Sequence, residues 1–341
     1  MGFDIEQIHT PTAPESLLRE LSDYYVVIEA EDMPGDPPVP LEKRIAGWRH
    51  ISTHYPEVRW ILRDQDGIAA AAVAAYDVHQ NLENGFGRIH VHPAKRRRGY
   101  GRALASPMFD LLEDNGRTRL ETWVKKDDPA EALASGLGLQ KVYEDKRSRL
   151  SIADLDGDLM GEWMARAAER ASEYELVYYQ SPLPEEIVPK FCDLTHVMNT
   201  APREEFEEED EVMTPKKWRE TESNVIDSKG QLHNLIAVHK PTGDFAGYTQ
   251  INTQDLQPDL AWQWDTGVDP SHRNKGLGRW LKAAMIRRIV ASHPDVARVD
   301  TSNAGSNEPM LNINVEMGYR PVHIAYAWQG DLATVRERLR A

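Results

Sequence analysis

Apolar residues recur along this chain with two different periods, and the two periods alternate in the same order in each half. Short runs of alternating or continuous apolar residues predict strands, whereas apolar residues three or four positions apart predict helices. The first half, from a strand at 4–9 to one at 140–150, reads βααβββαβαβ. The second half, from 174–180 to 319–328, repeats this order. The pattern predicts an α/β fold with mixed sheets of the α+β type, formed twice.

The helices carry the longer period. They are predicted at 15–30, 41–54, 98–115 and from 129 in the first half, at 184–198, 215–228, 275–292 and 307–317 in the second, and at 331–340. A length of 341 residues allows two domains that each bury a core. We assign residues 1–150 to an N-terminal domain, 151–172 to a linker helix and 173–341 to a C-terminal domain.

One sequence pattern, V-x-P-x-x-R-x-x-G-x-G-R, occurs twice. It covers residues 91–102 and 268–279, and every matched pair is 177 residues apart, as Val91 is from Val268. Each copy follows a predicted strand and leads into a predicted helix. Because a constant offset indicates internal duplication, each half is expected to be one copy of the same fold.

A loop that leads from a strand into a helix is a favourable place for phosphate groups. The first backbone amides of a helix lack partners and lie at the positive end of the helix dipole. Glycines let the main chain approach a phosphate closely, and Arg or Lys side chains add cationic donors. The loops are therefore predicted to bind an extended, phosphorylated cofactor. The predicted binding residues are Val91, Arg96, Arg97, Arg98, Gly99, Tyr100, Gly101 and Arg102, and Val268, Arg273, Asn274, Lys275, Gly276, Leu277, Gly278 and Arg279.

Two common nucleotide-binding motifs do not fit these loops. A Walker loop ends in Gly-Lys-Ser/Thr, which neither copy contains. A dinucleotide fingerprint needs a small residue three positions after its second glycine, where Leu104 and Leu281 stand. The sequence of the two loops therefore excludes both a Walker loop and a dinucleotide-binding loop.

The repeated loop pattern resembles motif A of the GNAT superfamily of N-acetyltransferases. The signature of that motif is Q/R-x-x-G-x-G/A at the start of the central helix. Arg96, Gly99 and Gly101 carry the match, as do the residues 177 positions later. The resemblance implies that the loops hold the pyrophosphate of acetyl-CoA, or of another short acyl-CoA, as co-substrate. It also implies that the strands ending at Val91 and Val268 pair with the pantetheine arm. The whole chain is similar to tandem GNAT proteins of actinobacterial type, an architecture that mycothiol synthase shares.

The resemblance also suggests catalytic residues in the second half. Asp265 lies near the end of a predicted strand beside Trp262 and Trp264, so it is a candidate base with a pKa raised by desolvation. A solvated or structurally bonded carboxylate is the alternative. Asn307 matches the family's Asn that contacts the cofactor arm, and Asn314 stands where a Tyr acid is usual. Since an amide cannot supply a proton as a phenol does, the acid stays open.

The first half departs further from the family pattern. Ala134 stands at the place of the Tyr, and the candidate bases are Glu83, His90 and His92. The two histidines share one strand face, but no third ligand accompanies them, so no metal site is predicted. We expect the first half to bind cofactor without turnover and the second half to be catalytic.

Composition restricts the partners and the location. The formal net charge of −15 disfavours nucleic acid as a general partner. No run approaches the roughly twenty apolar residues of a membrane span, and residues 1–5 lack the features of an export signal. We therefore expect a cytoplasmic protein that does not contact a membrane. The single cysteine, Cys192, is interpreted as a core thiol.

The expected function is transfer of an acetyl group to a primary amine of a small molecule, by direct attack in a ternary complex. The acidic run 204–211, at the acceptor pocket by resemblance, favours a cationic acceptor, although a solvated loop is the alternative. The missing Tyr keeps open a catalytically silent acyl-CoA-binding or sensing protein, and an O-acyltransferase is a weaker alternative. A monomer and a homodimer are both compatible with the sequence.

Overall fold

The computed structural model describes residues 3–50 and 52–340. Three predictions extend outside these ranges. They are the absence of an export signal at 1–5, which includes Met1 and Gly2, the helix at 41–54, which includes Ile51, and the second domain, which ends at Ala341.

The helices and strands follow the predicted order in both halves. The first half contains β1 (Asp4–Ile8), α1 (Glu15–Asp32), α2 (Leu41–Arg49), β2 (Glu57–Asp64), β3 (Gly67–Ala75), β4 (Asn84–Val91), α3 (Tyr100–Asp114), β5 (Arg119–Lys125), α4 (Ala130–Gly136) and β6 (Gln140–Ser151). The second half contains α5 (Gly157–Arg170), β7 (Tyr174–Gln180), α6 (Val188–Thr195), α7 (Pro215–Asp227), β8 (Gly230–His239), β9 (Asp244–Gln254), β10 (Leu260–Val268), α8 (Leu277–Ser292), β11 (Arg298–Ala304), α9 (Glu308–Met317), β12 (Arg320–Asp331) and α10 (Leu332–Arg340). The predicted mixed α/β fold is confirmed.

The chain divides into two compact units that exchange segments. The first unit contains the residues up to Asp145, the segment Arg203–Glu209 and the chain from His323 onwards. The second unit contains Lys146–Pro202 and Asp210–Val322. This grouping differs from a simple division near residue 150, because the segment within the second half and the C-terminal strand and helix belong to the first unit.

In the first unit the strands are ordered β1-β2-β3-β4-β5-β12. Neighbouring strands are antiparallel except β4 and β5, which are parallel. β12 pairs with β5 from Ala325 opposite Lys125 to Asp331 opposite Arg119. The last strand of the chain thus completes the sheet of the first unit.

In the second unit the strands are ordered β6-β11-β10-β9-β8-β7, and β6 contributes its residues from Lys146 onwards. β7 to β10 form an antiparallel series, whereas β10 and β11 are parallel. The predicted linker helix is α5, whose Met160 and Trp163 are buried in the core beside α8. The helix buries this apolar stripe and is therefore an integral part of the second unit.

Each sheet is covered by helices on both faces. One face packs against α3 or α8, where Leu104 and its counterpart Leu281 are both fully buried. The opposite face of the first sheet is covered by α1 and α2, and that of the second by α6 and α7. Cys192 is buried in this last layer, which confirms its interpretation as a core thiol. Among the described residues, no helix has the length and apolar content needed to cross a bilayer.

Candidate active site

The two glycine loops adopt the same backbone conformation. Gly99 and Gly276 precede α3 and α8 with φ values of 85° and 82°, which lie in the left-handed region that favours glycine. Arg97 and Asn274, two residues earlier, also have positive φ values, 66° and 63°. Within the described residues no side chain caps either helix. The first amides of both helices are therefore available to an anion.

Two cations of the second loop are held by the protein itself. Arg273 donates from Nε to the carbonyl of Val268 at 3.0 Å and from Nη2 to Oγ1 of Thr200 at 2.6 Å. Lys275 donates to the hydroxyl of Tyr174 at 2.7 Å. These bonds fix the loop to the strand before it, to the short 3-10 turn that ends at Thr200 and to β7, so its amides are held in place before any ligand binds.

The predicted loop residues differ in their exposure. Tyr100 and Leu277 are buried in the core, so only their backbone can contact a ligand. Gly101 and Gly278 lie in the first turns of the helices. Arg279 donates to Glu316 at 2.8 Å. The loop residues with exposed cationic or amide side chains include Arg96, Arg97, Arg98, Arg102, Arg273 and Asn274.

Both pairs of parallel strands separate just before the loops. β4 and β5 pair only from Asn84 to Phe86, and β10 and β11 pair only from Leu260 to Trp262. Beyond these points each strand continues unpaired on one side toward its loop. Just after β10, the amide of Asp269 donates to the carbonyl of Ala246 on β9, so the alternate residues Thr266 and Val268 direct their backbone groups into the gap. An extended chain with amide groups can bind there.

β10 contains a bulge that β4 lacks. The register of β10 against β9 shifts between Gln263 and Thr266, whereas β4 pairs with β3 without interruption. The bulge contains Trp264 and Asp265, and it directs Asp265 toward Tyr248 on the α6–α7 face. At the offset of 177 residues, the counterpart of Asp265 in the first half is Arg88.

The Asp265 carboxylate is accessible to solvent on one side, and protein groups around it displace part of its hydration. Its side chain is exposed, yet the protein groups around it raise the pKa of the carboxyl by desolvation. The hydroxyl of Tyr248 donates to Oδ2 at 3.2 Å and opposes this shift, while the charge of Glu211 adds to it. A carboxylate that a substrate can reach and that holds its proton more tightly than usual is suited to proton transfer.

The two asparagines predicted near the reaction occupy different environments. Asn307 caps α9, because its side chain accepts from the amide of Met310 at 3.3 Å. Asn314 is 2% exposed and donates to Oδ1 of Asn303 at 2.7 Å. Its own Oδ1 is buried and has no partner among the described residues. Tyr319, which follows α9, is buried in the core.

The candidate bases of the first half have other roles. The half-buried His90 packs edge-on against Tyr25, and desolvation, reinforced by neighbouring arginines, lowers its pKa to about 3. His92 caps the short turn that follows β4 by accepting from Ala94. Glu83 is largely exposed and lies 4.0 Å from Arg119. None of the three resembles the arrangement at Asp265.

The end of α1 is tied to both strands that separate in the first half. Lys125, at the end of β5, donates to the carbonyls of Glu31 and Asp32 at 3.0 and 2.8 Å. Arg96, from the loop after β4, forms a bidentate pair with the carboxylate of Glu31. Arg88 on β4 lies 3.7 Å from Asp32. The C-terminal end of α1 therefore spans the gap between β4 and β5, on the face of the sheet that α1 and α2 cover.

The acidic run is divided between the two units. Glu207 pairs with Arg119, and its backbone bonds to Gln329, all within the first unit. This part of the run is thus bound within the first unit rather than free in solvent, and its place beside the acceptor pocket stays a prediction. Glu211 lies in the second unit, where its charge acts on Asp265.

A polar cavity of ≈ 410 Å³ also lies in the first unit. Its lining includes Arg119, Gln140, Glu207, Gln329 and Thr334, and no residue of either glycine loop. It is therefore separate from the gap that the loops border. Among the described residues, no group of three His, Cys, Asp or Glu side chains is arranged to hold a metal ion.

A strand, a glycine loop and a helix beside two separating parallel strands, present twice, define a tandem GNAT fold. The family model described as FR47-like protein matches residues 58–149, and the model of the acetyltransferase (GNAT) family matches residues 194–311. The chain belongs to the GNAT superfamily as a tandem member and is an N-acetyltransferase. Acetyltransferases of this family use acetyl-CoA as co-substrate.

The chain is similar to two curated mycothiol acetyltransferases. The protein from Clavibacter sepedonicus is 25% identical over 262 residues, which cover 75% of each chain. The protein from Kineococcus radiotolerans is 26% identical over 272 residues, covering 77% of this chain and 78% of that one. The expected likeness to mycothiol synthase in architecture is thereby confirmed.

Two solved structures show the same fold. A tandem GNAT protein from the clavulanic acid biosynthesis pathway superposes with a TM-score of 0.78 at 21% identity, covering 97% of this chain and 99% of that one. A GCN5-related N-acetyltransferase from Sphaerobacter thermophilus gives a TM-score of 0.69 at 14% identity and covers 96% of each chain. At these identities the likeness concerns the fold alone.

Proposed function

We propose that the second unit transfers an acetyl group from acetyl-CoA to the primary amine of a small molecule, with Asp265 as the general base. The observation that supports this most directly is the bulge in β10. It directs an accessible carboxylate with a raised pKa to the α6–α7 face, at the point where β10 and β11 separate. The glycine loop of Gly276 lies at the other end of the same gap.

The proposed reaction is a direct attack in a ternary complex. Acetyl-CoA supplies the thioester, the loop amides after Gly276 hold its pyrophosphate, and the backbone of Val268 pairs with its pantetheine arm. The amine first releases its ammonium proton to solvent and attacks in the neutral form. Its nitrogen bonds to the acetyl carbon, the carbon–sulfur bond breaks, and Asp265 receives the second proton that the nitrogen loses. The departing thiolate takes a proton from solvent, since Asn314 cannot donate one as a phenol does.

Charge supports an amine as the acceptor. Asp265 and Glu211 place two carboxylates near one another in the second unit, which favours the approach of a protonated amine. The relatives named mycothiol acetyltransferase make an acceptor related to mycothiol one candidate. We further propose that the reaction takes place in the cytoplasm, and that the chain acts as a monomer or homodimer.

The first unit is proposed to bind acyl-CoA without turning it over. It keeps the loop of Gly99, but Arg88 replaces the base and β4 has no bulge. The α1 end also bridges the side from which an acceptor would approach. A silent acyl-CoA-binding protein is the second candidate function for the whole chain, and the buried amide of Asn314 in place of a Tyr acid is the observation that favours it.

Amine-dependent release of CoA tests the proposed function. We expect acetyl-CoA alone to release thiol slowly, and at least one member of a panel of amino sugars, amino acids and diamines to accelerate the release. The measurement is absorbance from a thiol reagent, with the acetylated product identified by mass spectrometry. If thiol appears no faster with any amine than without one, acetyl-CoA binding measured by calorimetry would support the silent binding protein instead.

The pH dependence of turnover is expected to follow the ionisation of the Asp265 carboxyl group. Because only the ionised carboxylate accepts a proton, kcat/KM rises with pH through a pKa above the usual range of Asp. Tyr248→Phe removes the hydrogen bond that favours the ionised form, so this rise moves to higher pH. Tyr319→Phe, which removes a buried hydroxyl without a partner among the described residues, is the control and leaves the rise in place. An unchanged profile in Tyr248→Phe would contradict the assignment.

A further inference from the structure

Two arginines in the second unit share a single buried carboxylate. Arg147 donates from Nε and Nη2 to Asp300 at 2.9 and 2.5 Å, and Arg149 donates from Nε and Nη2 at 2.7 and 2.8 Å. Asp300 is fully buried, whereas the side chains of Arg147 and Arg149 are 21% and 18% exposed. Two guanidinium groups thus share one buried carboxylate, and both arginine side chains remain partly exposed to solvent.

The geometry of Arg147 leaves one edge of its guanidinium open. Its centre lies 4.5 Å from the ring centroid of Trp262, so the ring holds it from one side while Asp300 holds two of its nitrogens. Nη1 bonds to no residue in the described ranges 3–50 and 52–340. A guanidinium fixed in this way keeps free donors for a planar oxyanion, with little rotational freedom left to lose.

This cluster lies on the same face of the sheet as the proposed base. Trp262 is directly opposite Asn252, and Asn252 is four residues from Tyr248 on β9, so all three side chains share the α6–α7 face. Tyr248 bonds to Asp265 on that face. Trp262 and Asp265 are three residues apart on β10, which corresponds to about 10 Å of strand at most.

The cluster is distinct from the cofactor loop. Trp262 is the last residue of β10 that pairs with β11, and Val268, which adjoins the loop, is the last residue of the strand. The phosphates held at Gly276 would therefore lie at the opposite end of the gap from Arg147. An anion at Arg147 belongs on the acceptor side of the reaction.

We propose that Arg147 binds an anionic group of the acceptor, a carboxylate or phosphate, while the amine of the same molecule lies at Asp265. The inference rests on the proposed function and narrows its substrate class to amines that also carry an oxyanion. The acceptor is held at its two ends by opposite charges on the protein. A diamine is disfavoured, because its second ammonium would meet the guanidinium pair.

Matched acceptors that differ in one charge test this inference. The probes are 4-aminobutanoate, 5-aminopentanoate and 6-aminohexanoate, each paired with its neutral carboxamide. In the unaltered protein, kcat/KM for the best carboxylate is expected to exceed that of its amide by about ten- to hundredfold. Arg147→Gln removes this preference through KM, and Arg147→Lys keeps part of it. Arg166→Gln, which alters an exposed pair on α5, is the control and keeps the preference.

Two further measurements distinguish a missing anion site from a misfolded variant and from a failure of the proposed function. Calorimetry with CoA is expected to give the same affinity in Arg147→Gln, and the thermal transition shows whether the variant is folded. Equal use of carboxylate and amide by the unaltered protein, or equal losses for both in Arg147→Gln, would overturn the inference. If no amine accelerates CoA release, the proposed function fails instead. Calorimetric binding of 5-aminopentanoate, compared with its amide, then decides whether the anion subsite exists.

Discussion

Asp265→Asn is expected to lower kcat by about 10²- to 10⁴-fold while the affinity for acetyl-CoA stays unchanged. The amide has nearly the shape of the carboxylate but cannot take a proton from the attacking amine. The hydroxyl of Tyr248 can still donate to the remaining carbonyl oxygen, so the bulge in β10 should keep its geometry. Steady-state kinetics gives kcat, and calorimetry gives the affinity.

The control for this variant is Asp244→Asn. Asp244 is an exposed residue at the start of β9, so its substitution removes one charge from the same unit away from the bulge. We expect its kcat within about twofold of the original, as for most surface substitutions. If Asp265→Asn retained most of its activity, another group or a water molecule would have to accept the proton.

Gly276→Glu is expected to abolish measurable binding of acetyl-CoA at the second loop and with it at least about 99% of turnover. A carboxylate at the N-terminus of α8 repels the pyrophosphate, and the left-handed φ of 82° is unfavourable for a residue with a Cβ. No heavy atom lies within 4 Å of a Cβ built at Gly276 within the described structure, so the loss should come from charge and backbone rather than a clash. Calorimetry and thiol release are the measurements.

The duplication supplies a matched variant for this test. Gly99→Glu changes the same loop position at φ 85° in the first unit and is expected to retain turnover. Gly276→Asn adds a neutral residue that tolerates the left-handed region, so it should bind acetyl-CoA more tightly than Gly276→Glu. Equal losses of turnover in Gly99→Glu and Gly276→Glu would contradict the assignment of catalysis to the second unit.

The repeated elements could be predicted because they depend on local signals. The glycine pattern of each loop, the apolar stripes that bury Leu104 and Leu281, and the alternation of the strands can each be read from a short stretch of sequence. These signals gave the order of helices and strands and identified both loops. The resemblance to GNAT proteins then placed Asp265 near the reacting groups, and the structure places this residue in the bulge of β10.

Other parts of the site depend on contacts between distant residues. Tyr248 reaches Asp265 from a neighbouring strand, and nothing in the alternation of β9 distinguishes it from other core aromatic residues. Arg147 and Asp300 are 153 positions apart, and only the pairing of the strands brings them together. The acidic run has the composition of a solvated loop, and its attachment to Arg119 depends on tertiary packing. A single sequence carries no local signal for any of these contacts.

The pairing of β12 with β5 has a consequence for synthesis on the ribosome. Residues that form β1 to β5 emerge early, but the strand that borders β5 in their unit begins about two hundred residues later, at Arg320. The nascent chain therefore holds an unfinished sheet with an open edge, which is a template for intermolecular association. Maturation of the first unit must wait for the codons of Arg320–Asp331, although its loop and hydrophobic stripe have long been translated.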